Sequence, residues 1–409
     1  MKVFHCDHCD NLVFFENTQC VVCGHRLAFI PEMIDVGSLD PVDDTLWLSP
    51  LTQGEGARYR LCRNYTQASV CNWAIPAEDE HPLCASCRMT ALIPDLSVPG
   101  NAEAWYRLEV AKRRVLYTLL QLGLPTSRIA GADGSALRFE FLADAPDGSA
   151  RIFTGHSNGI VTLNVAEADD VERERRRKAM GEPYRTLLGH FRHEVGHYYW
   201  SVLIETSPST LDAFRERFGD ERDDYASALR RHYELGPASD WQSRYVSAYA
   251  GAHAWEDWAE TWAHYMHLVD SLETAAECGL SLRPSRSGEP RLVRVRSVDL
   301  FGEGSFDRMI VDWHAVTYLL NSLNRGMGFA DAYPFVLAPA AVDKLRFVHE
   351  VIAKGTASLD GERAAATDAV ETIHQPPAPP DGQAAAPHEP DRDPAQSDVA
   401  GRDRAASHS

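Results

Sequence analysis

The sequence predicts a multidomain chain. A small Cys-rich N-terminal region (1–95) is followed by a mostly helical α+β domain (100–355) and a disordered, acidic, Pro/Ala-rich tail (356–409). Three observations predict this. Eight of the nine cysteines precede residue 90. From about residue 103 apolar residues recur at helical spacing. From about 356 the composition collapses into Ala, Pro, Asp and Ser, and seven of the 23 prolines lie there. Such a segment cannot bury enough apolar surface to fold. At 409 residues the chain is also long for one domain.

Charge and hydropathy narrow the partners. The hydrophobic fraction, 44%, is ordinary for a globular protein. No stretch approaches the roughly 20 apolar residues that span a bilayer. The start, MKVFHCDHCD, lacks an apolar secretory core, so a cytoplasmic location is expected. The net charge is -19, and the tail, with 10 Asp/Glu against 4 Arg, supplies -6 of it. An acidic body repels polyanions, which argues against nucleic acid and anionic membranes as partners.

The N-terminal region is read through its cysteines. Without an export signal, clustered cysteines mean metal more often than disulfides. Cys6-Asp-His-Cys9 and Cys20-Val-Val-Cys23 are two matched knuckles, each offering two thiolates from one tight turn, and together they close a four-ligand zinc site. Gly24 follows the second knuckle and helps its turn. A second structural zinc is expected on Cys62, Cys71, Cys84 and Cys87, although only Cys84-Ala-Ser-Cys87 is a regular knuckle. His81 is an alternative ligand there, and His5 and His8 are bystanders. Such a zinc-ribbon region either contacts a partner or stabilises a core too small to stand without metal.

The second domain opens with a helix, AWYRLEVAKRRVLYTLLQLG, stopped by Gly123. LRFEFLAD (137–144) alternates like a strand. RIFTG (151–155) and GIVTLNVAEAD (159–169) read as a strand pair around an Asn158-Gly159 turn. A charged helix, DDVERERRRKAM, follows. Gly181-Glu-Pro183 then restarts the chain into the helix bearing GHFRHEVGHYYW (189–200). Segments 209–218, 221–235, 252–270, 311–324 and 339–354 also read as helices.

That first central helix carries His193-Glu194-Val195-Gly196-His197. Positions i and i+4 share a helix face, so both histidines can reach one zinc, with Glu194 placed to take a proton from water. The bland alternative is an amphipathic helix with satisfied histidines. A catalytic zinc usually takes three protein ligands and keeps one position open. The donor of the third is sought in AHAWEDWAETWAHYMH (252–267), where Glu256 and Glu260 share a face and Asp257 is turned about 100° away.

H-E-x-x-H followed at a distance by E-x-x-x-E resembles the gluzincin clan of thermolysin-like metallopeptidases. The resemblance implies that Glu256 is the third zinc ligand and that Glu260 orients a ligand histidine. The run from Tyr249 through Glu256, Ala259 and Glu260 resembles lethal-factor-type gluzincins. That implies a role for Tyr249 as hydrogen-bond donor to the oxyanion. Residues 1–355 as a whole resemble a family of bacterial zinc-binding metallopeptidases with an N-terminal zinc-ribbon region. FHCDHCDNLVFFENTQCVVCG, GHFRHEVGHYYW, HAWEDWAETWAHYMH and LLNSLNRGMGFADAYPFVL carry that likeness. The resemblance implies a zincin-like fold for 100–355. The chain departs from thermolysin at Trp255, where that enzyme's pattern has Asn, and this puts the substrate contacts in question.

The remaining candidates are secondary. His190 is expected to pack beside the site or support its ligands. His264 and His267 serve either the pocket or helix packing. GIVTLNVAEAD is either an edge strand for an extended substrate or an ordinary strand of the sheet. Arg325 either caps its helix or meets a substrate carboxyl. Trp255, Trp258 and Trp262 are expected in the core, and Cys278 as a small buried hydrophobe. The function expected is peptide hydrolysis by a zinc metallopeptidase with one catalytic and two structural zincs, acting on a peptide or protein substrate, with a protein partner possible at the ribbon. The competing readings are a catalytically silent zinc-ribbon adaptor or regulator on the same scaffold, and hydrolysis of a non-peptide amide.

Overall fold

A computed structural model describes residues 1–51, 57–126, 136–145, 149–180, 186–286, 288–293 and 300–374, with backbone alone at 179–180 and 357–374. The N-terminal region is built from short antiparallel strands. β1 (Phe4–His5) pairs with β2 (Leu12–Val13). β3 (Arg26–Ile30), β4 (Asp35–Pro41), β5 (Trp47–Leu48), β6 (Arg58–Leu61) and β7 (Ala74–Pro76) form one sheet in that order. α1 (Arg63–Thr66) and α2 (Ala85–Arg88) are single turns beside Cys62 and Cys84.

β8 (Thr90–Leu92) crosses the expected boundary. It pairs in parallel with β9 (Arg138–Leu142), in a sheet ordered β10-β11-β9-β8, where β10 is Gly155–Ser157 and β11 is Ile160–Asn164. Residues 1–360 form one compact unit. Its core is continuous: Phe4, Phe15 and Phe29 set their rings 6.0, 5.7 and 6.1 Å from that of Tyr117 on α3 (Asn101–Gln121). The N-terminal region thus joins its own buried residues to the core of its neighbour.

α3 also reaches the second cysteine cluster with buried charge. Lys112 Nζ donates to Ser86 O at 2.9 Å and pairs with Glu109 at 2.8 Å, while Arg113 donates to Val70 O. Burying cations is costly unless they are paired and hydrogen-bonded, and here they are both.

The hairpin at Asn158-Gly159 forms as expected, both residues holding positive φ (48° and 77°), as a tight twisted turn requires. It decides between the two readings of the second strand in favour of an ordinary sheet strand. β10 folds back along β11 and takes the edge, so β11 lies inside the sheet between β10 and β9.

The helices follow: α4 (Asp170–Met180), α5 (Leu187–Leu203), α6 (Pro208–Phe218), α7 (Tyr225–Leu235), α8 (Ala254–Glu277), α9 (Ser305–Gly326) and α10 (Pro339–His374). The restart at 181–183 lies outside the described residues. α5 is capped instead by Thr186, whose hydroxyl accepts from Gly189 N at 3.0 Å. The tail boundary expected at 356 falls within α10, whose backbone stays helical to His374, and 375–409 lie outside the described residues. Among the described residues no helix is long and apolar enough to cross a membrane.

Trp258 and Trp262 are in the core as expected. Cys278 is not: it is exposed where α8 ends. Arg325 lies in the last turn of α9, where its charge suits the helix C-terminus, and it reaches forward to Asp331 with two 2.6 Å bonds.

Candidate zinc centres

α5 and α8 pack closely enough to bring their polar residues together. The approach depends on Gly196. A Cβ there would lie 3.0 Å from Trp262 Cδ1 and 3.3 Å from Ala259 Cα. Trp258 Nε1 donates to Gly196 O at 2.8 Å and locks the register of the two helices.

One ligand atom from each of His193, His197 and Glu256 lies within 4.8 Å of the others. Glu256 Oε2 stands 3.0 Å from His193 Nε2, and Oε1 stands 3.7 Å from His197 Nε2. Glu256 is 1% exposed, and its Oε2 has no hydrogen-bond partner of good geometry among the described residues. A buried carboxylate set against two imidazoles, one at each oxygen, suits a cation. Two His and one Glu are also a donor set that zinc takes when one position stays open. Glu256 sits in the first turn of α8, where the helix dipole favours negative charge.

The surrounding groups hold this arrangement. Glu260 Oε1 lies 2.7 Å from His193 Nδ1, and Ser247 Oγ donates to Glu260 Oε2 at 2.6 Å. Tyr225 donates to Glu256 Oε1 at 2.7 Å. His253 caps α8 by accepting from Trp255 N at 3.1 Å and also contacts Asp223 O at 3.1 Å. Tyr225, Ser247 and His253 escaped the sequence reading because no spacing rule ties them to the motif. Tyr249 sets its ring 6.0 Å from that of His193. His190 faces Glu167, with Nδ1 3.2 Å from Oε2. Trp255, expected in the core, packs half-buried against it and brings its ring to 4.1 Å from that of His197. His264 and His267 serve packing, with Nδ1 at 2.7 Å from Tyr333 OH and 2.6 Å from Arg192 Nη1 respectively.

Without metal, burial and charge pull these groups apart. Burial pushes Glu194 up to about 7, opposed by His193. Burial lowers His197 to about 3. Burial would raise Glu256, but His197 and His193 outweigh it and hold the carboxyl at about 2. Burial works against a charged His193 too, yet its bonds to Glu256 and Glu260 raise it well above its ordinary value.

The cysteines form two further clusters. The sulfurs of Cys6, Cys9, Cys20 and Cys23 lie within 4.8 Å of one another, and so do those of Cys62, Cys71, Cys84 and Cys87. Cys6–Cys23 and Cys9–Cys20 are both 3.7 Å apart, and Cys71–Cys84 is 3.6 Å. A zinc tetrahedron with ~2.3 Å arms puts its sulfurs about 3.8 Å apart. His8 and His25 stack on each other, with ring centroids 3.6 Å apart.

Fold and centres together define a zinc-binding protein with a ribbon region and a helix-borne His/Glu centre. The chain belongs to the family described as "Putative zinc-binding metallo-peptidase", whose model matches residues 101–351. A zinc-ribbon domain model matches residues 3–98. Proteins of Mycobacterium bovis and Mycobacterium tuberculosis, named only as uncharacterized, are 43% identical to it over 356 residues, covering 86% of this chain and 95% of theirs. No solved structure matches.

Proposed function

We propose that this protein is a zinc-dependent metallopeptidase acting on peptide bonds. The observation that carries the reading is the convergence of His193, His197 and Glu256, with the buried Glu256 carboxylate set against both imidazoles between the two helices. A zinc ion held there would polarise a carbonyl and acidify a water. Glu194, buried beside the ligands, accepts the water's proton at its carboxylate and passes it to the leaving amine. Tyr249 donates its hydroxyl hydrogen bond to the carbonyl oxygen as charge builds there. Glu260 fixes the His193 ring through Nδ1, and Ser247 fixes Glu260.

The two cysteine clusters each hold a structural zinc in this reading, and the site of action is the cytoplasm. The ribbon offers a contact surface for a protein partner or substrate, since Phe14, Val21 and Val22 are 68%, 88% and 67% exposed.

Zinc content of the purified wild type beside Glu256→Ala and His193→Ala tests the site. About three zincs, falling by one in each variant, support it. About two in all three proteins would sink it and leave the non-enzymatic adaptor. A peptide-library screen with Glu194→Ala as the inactive control then tests the chemistry.

A further inference from the structure

The segment between the two motif helices supplies a contact that neither motif contains. Tyr225, the first residue of α7, donates its hydroxyl proton to Glu256 Oε1 at 2.7 Å. The other oxygen of that carboxylate, Oε2, faces His193 Nε2 at 3.0 Å without a hydrogen bond of good geometry. The two oxygens are therefore in different situations. Oε1 is held by a neutral donor from another helix and stands 3.7 Å from His197 Nε2, whereas Oε2 has no such donor and stands closer to its imidazole, His193.

Several contacts place Tyr225 there. Its ring lies 5.3 Å from that of His253 and 6.0 Å from that of Trp255, both at the start of α8. His253 Nε2 lies 3.1 Å from Asp223 O, two residues before the tyrosine. Asp224 caps α7 by accepting from Ser227 N at 2.6 Å, which sets the direction in which Tyr225 leaves the backbone. Residues 223–225 are thus clasped to residues 253–256 by backbone, ring and hydroxyl. The rest of α7 is lightly anchored, with Ala228 its buried residue.

We propose that Tyr225 is a positioning residue for the metal-binding carboxylate. It holds Glu256 Oε1 and so would favour Oε2 as the oxygen given to an ion bound by His193 and His197. The inference rests on the zinc-site reading above. Its chemical sense is selectivity of binding mode. A free carboxylate can grip a cation through one oxygen or both, and the two-oxygen grip would crowd the position that a substrate carbonyl needs. A hydrogen bond to one oxygen favours the one-oxygen mode and fixes the rotamer before metal arrives.

The test uses the full-length protein with Tyr225→Phe, which keeps the ring against His253 and Trp255 and removes only the hydroxyl. Tyr233→Phe, an exposed tyrosine on the same helix, is the control. Chelator competition reads zinc affinity site by site. The expected result is about tenfold or greater weakening of one zinc in Tyr225→Phe, with the two cysteine-bound zincs and the control unchanged. Cobalt(II) placed in the weakened site gives the second readout. Its visible bands are strong in four-coordinate sites and weaken when a fifth donor joins, so Tyr225→Phe should lose intensity relative to wild type. Tyr225→Met, also lacking the hydroxyl, should show the same selective loss of affinity, and this guards against an effect peculiar to the phenylalanine ring. Wild-type affinity and a wild-type cobalt spectrum in Tyr225→Phe would overturn the proposal. Only two zincs in wild type itself, unaltered in Glu256→Ala, would overturn the zinc-site reading instead, and the two failures are distinguishable.

Discussion

Glu260 Oε1 lies 2.7 Å from His193 Nδ1, one helical turn beyond Glu256, whose Oε2 lies 3.0 Å from Nε2 of the same ring. Two carboxylates of one helix therefore grip opposite edges of one imidazole. The outer one fixes the ring and its tautomer, so that the inner edge is left to a metal with its lone pair exposed. Ser247 holds the outer carboxylate in turn.

Glu260→Ala should accordingly weaken the third zinc about 10–100-fold while leaving His193 and Glu256 in place. Chelator titration with zinc counted at each step checks it. Unchanged affinity would mean that the His193 ring is positioned by helix packing alone.

Glu194 makes a different prediction because it is not among the three converging ligands. Glu194→Gln should bind as much zinc as wild type and lose about 10²–10⁴ in turnover of any peptide substrate found. Zinc content measured on the same preparation as the turnover separates a lost base from a lost metal.

The parts of this arrangement that were legible in the sequence are those with local periodicity. His193 and His197 are one turn apart, Glu256 and Glu260 are one turn apart, and Cys6/Cys9, Cys20/Cys23 and Cys84/Cys87 are knuckles that a few backbone torsions define. The family likeness supplied the pairing between the two helices. Tyr225, Ser247 and His253 were not legible, because tertiary packing brings them to the site and no period links them to it.

Gly196 fills a variable position of the motif, yet the structure requires a small residue there. Gly196→Ala would drive a methyl to 3.0 Å from the Trp262 ring and 3.3 Å from the α8 backbone. Overpacking of this kind costs ~1–3 kcal/mol, partly offset by the ~1 kcal/mol that alanine gains over glycine in helix propensity. The separation of α5 from α8 would also move both histidines from Glu256. Chemical denaturation and zinc titration should register losses together. A variant that lost stability but kept wild-type zinc affinity would show that the Trp262 ring absorbs the methyl without moving α8.

The two cysteine clusters should differ in their hold on the fold. All four sulfurs of the Cys62/Cys71/Cys84/Cys87 cluster belong to buried residues, whereas Cys9 is exposed and Cys23 half-buried. The second cluster also adjoins Lys112 and Arg113 of α3, which donate to Ser86 O and Val70 O. Cys84→Ser should cost roughly 3–5 kcal/mol and expose both the ribbon region and α3 to protease. Cys9→Ser should cost less and open only the N-terminal strands. Equal losses in thermal melts of the two variants would contradict the shared-core picture.

His349 provides a pH prediction away from the metal ligands. It is buried, with Nδ1 2.9 Å from Tyr265 OH and Nε2 3.3 Å from Ser305 Oγ. Burial first, and Arg346 second, lower its pKa from 6.5 to about 4. The folded state thus keeps the ring neutral in a range where the unfolded chain would protonate it. The sign follows: as pH falls below 6.5 the unfolded state binds the proton first, and stability declines until about pH 4, where the folded ring protonates as well. Above 6.5 both states are neutral and His349 contributes no slope. Acid release of zinc from the cysteines adds its own loss, so the comparison is made against His349→Gln, which keeps a polar side chain that cannot titrate. Between pH 7 and 4.5 the wild-type melting temperature should fall further than that of the variant. Parallel curves would mean that the ring takes up its proton without cost in the folded state, and that Tyr265 and Ser305 turn their hydroxyls to accept from it.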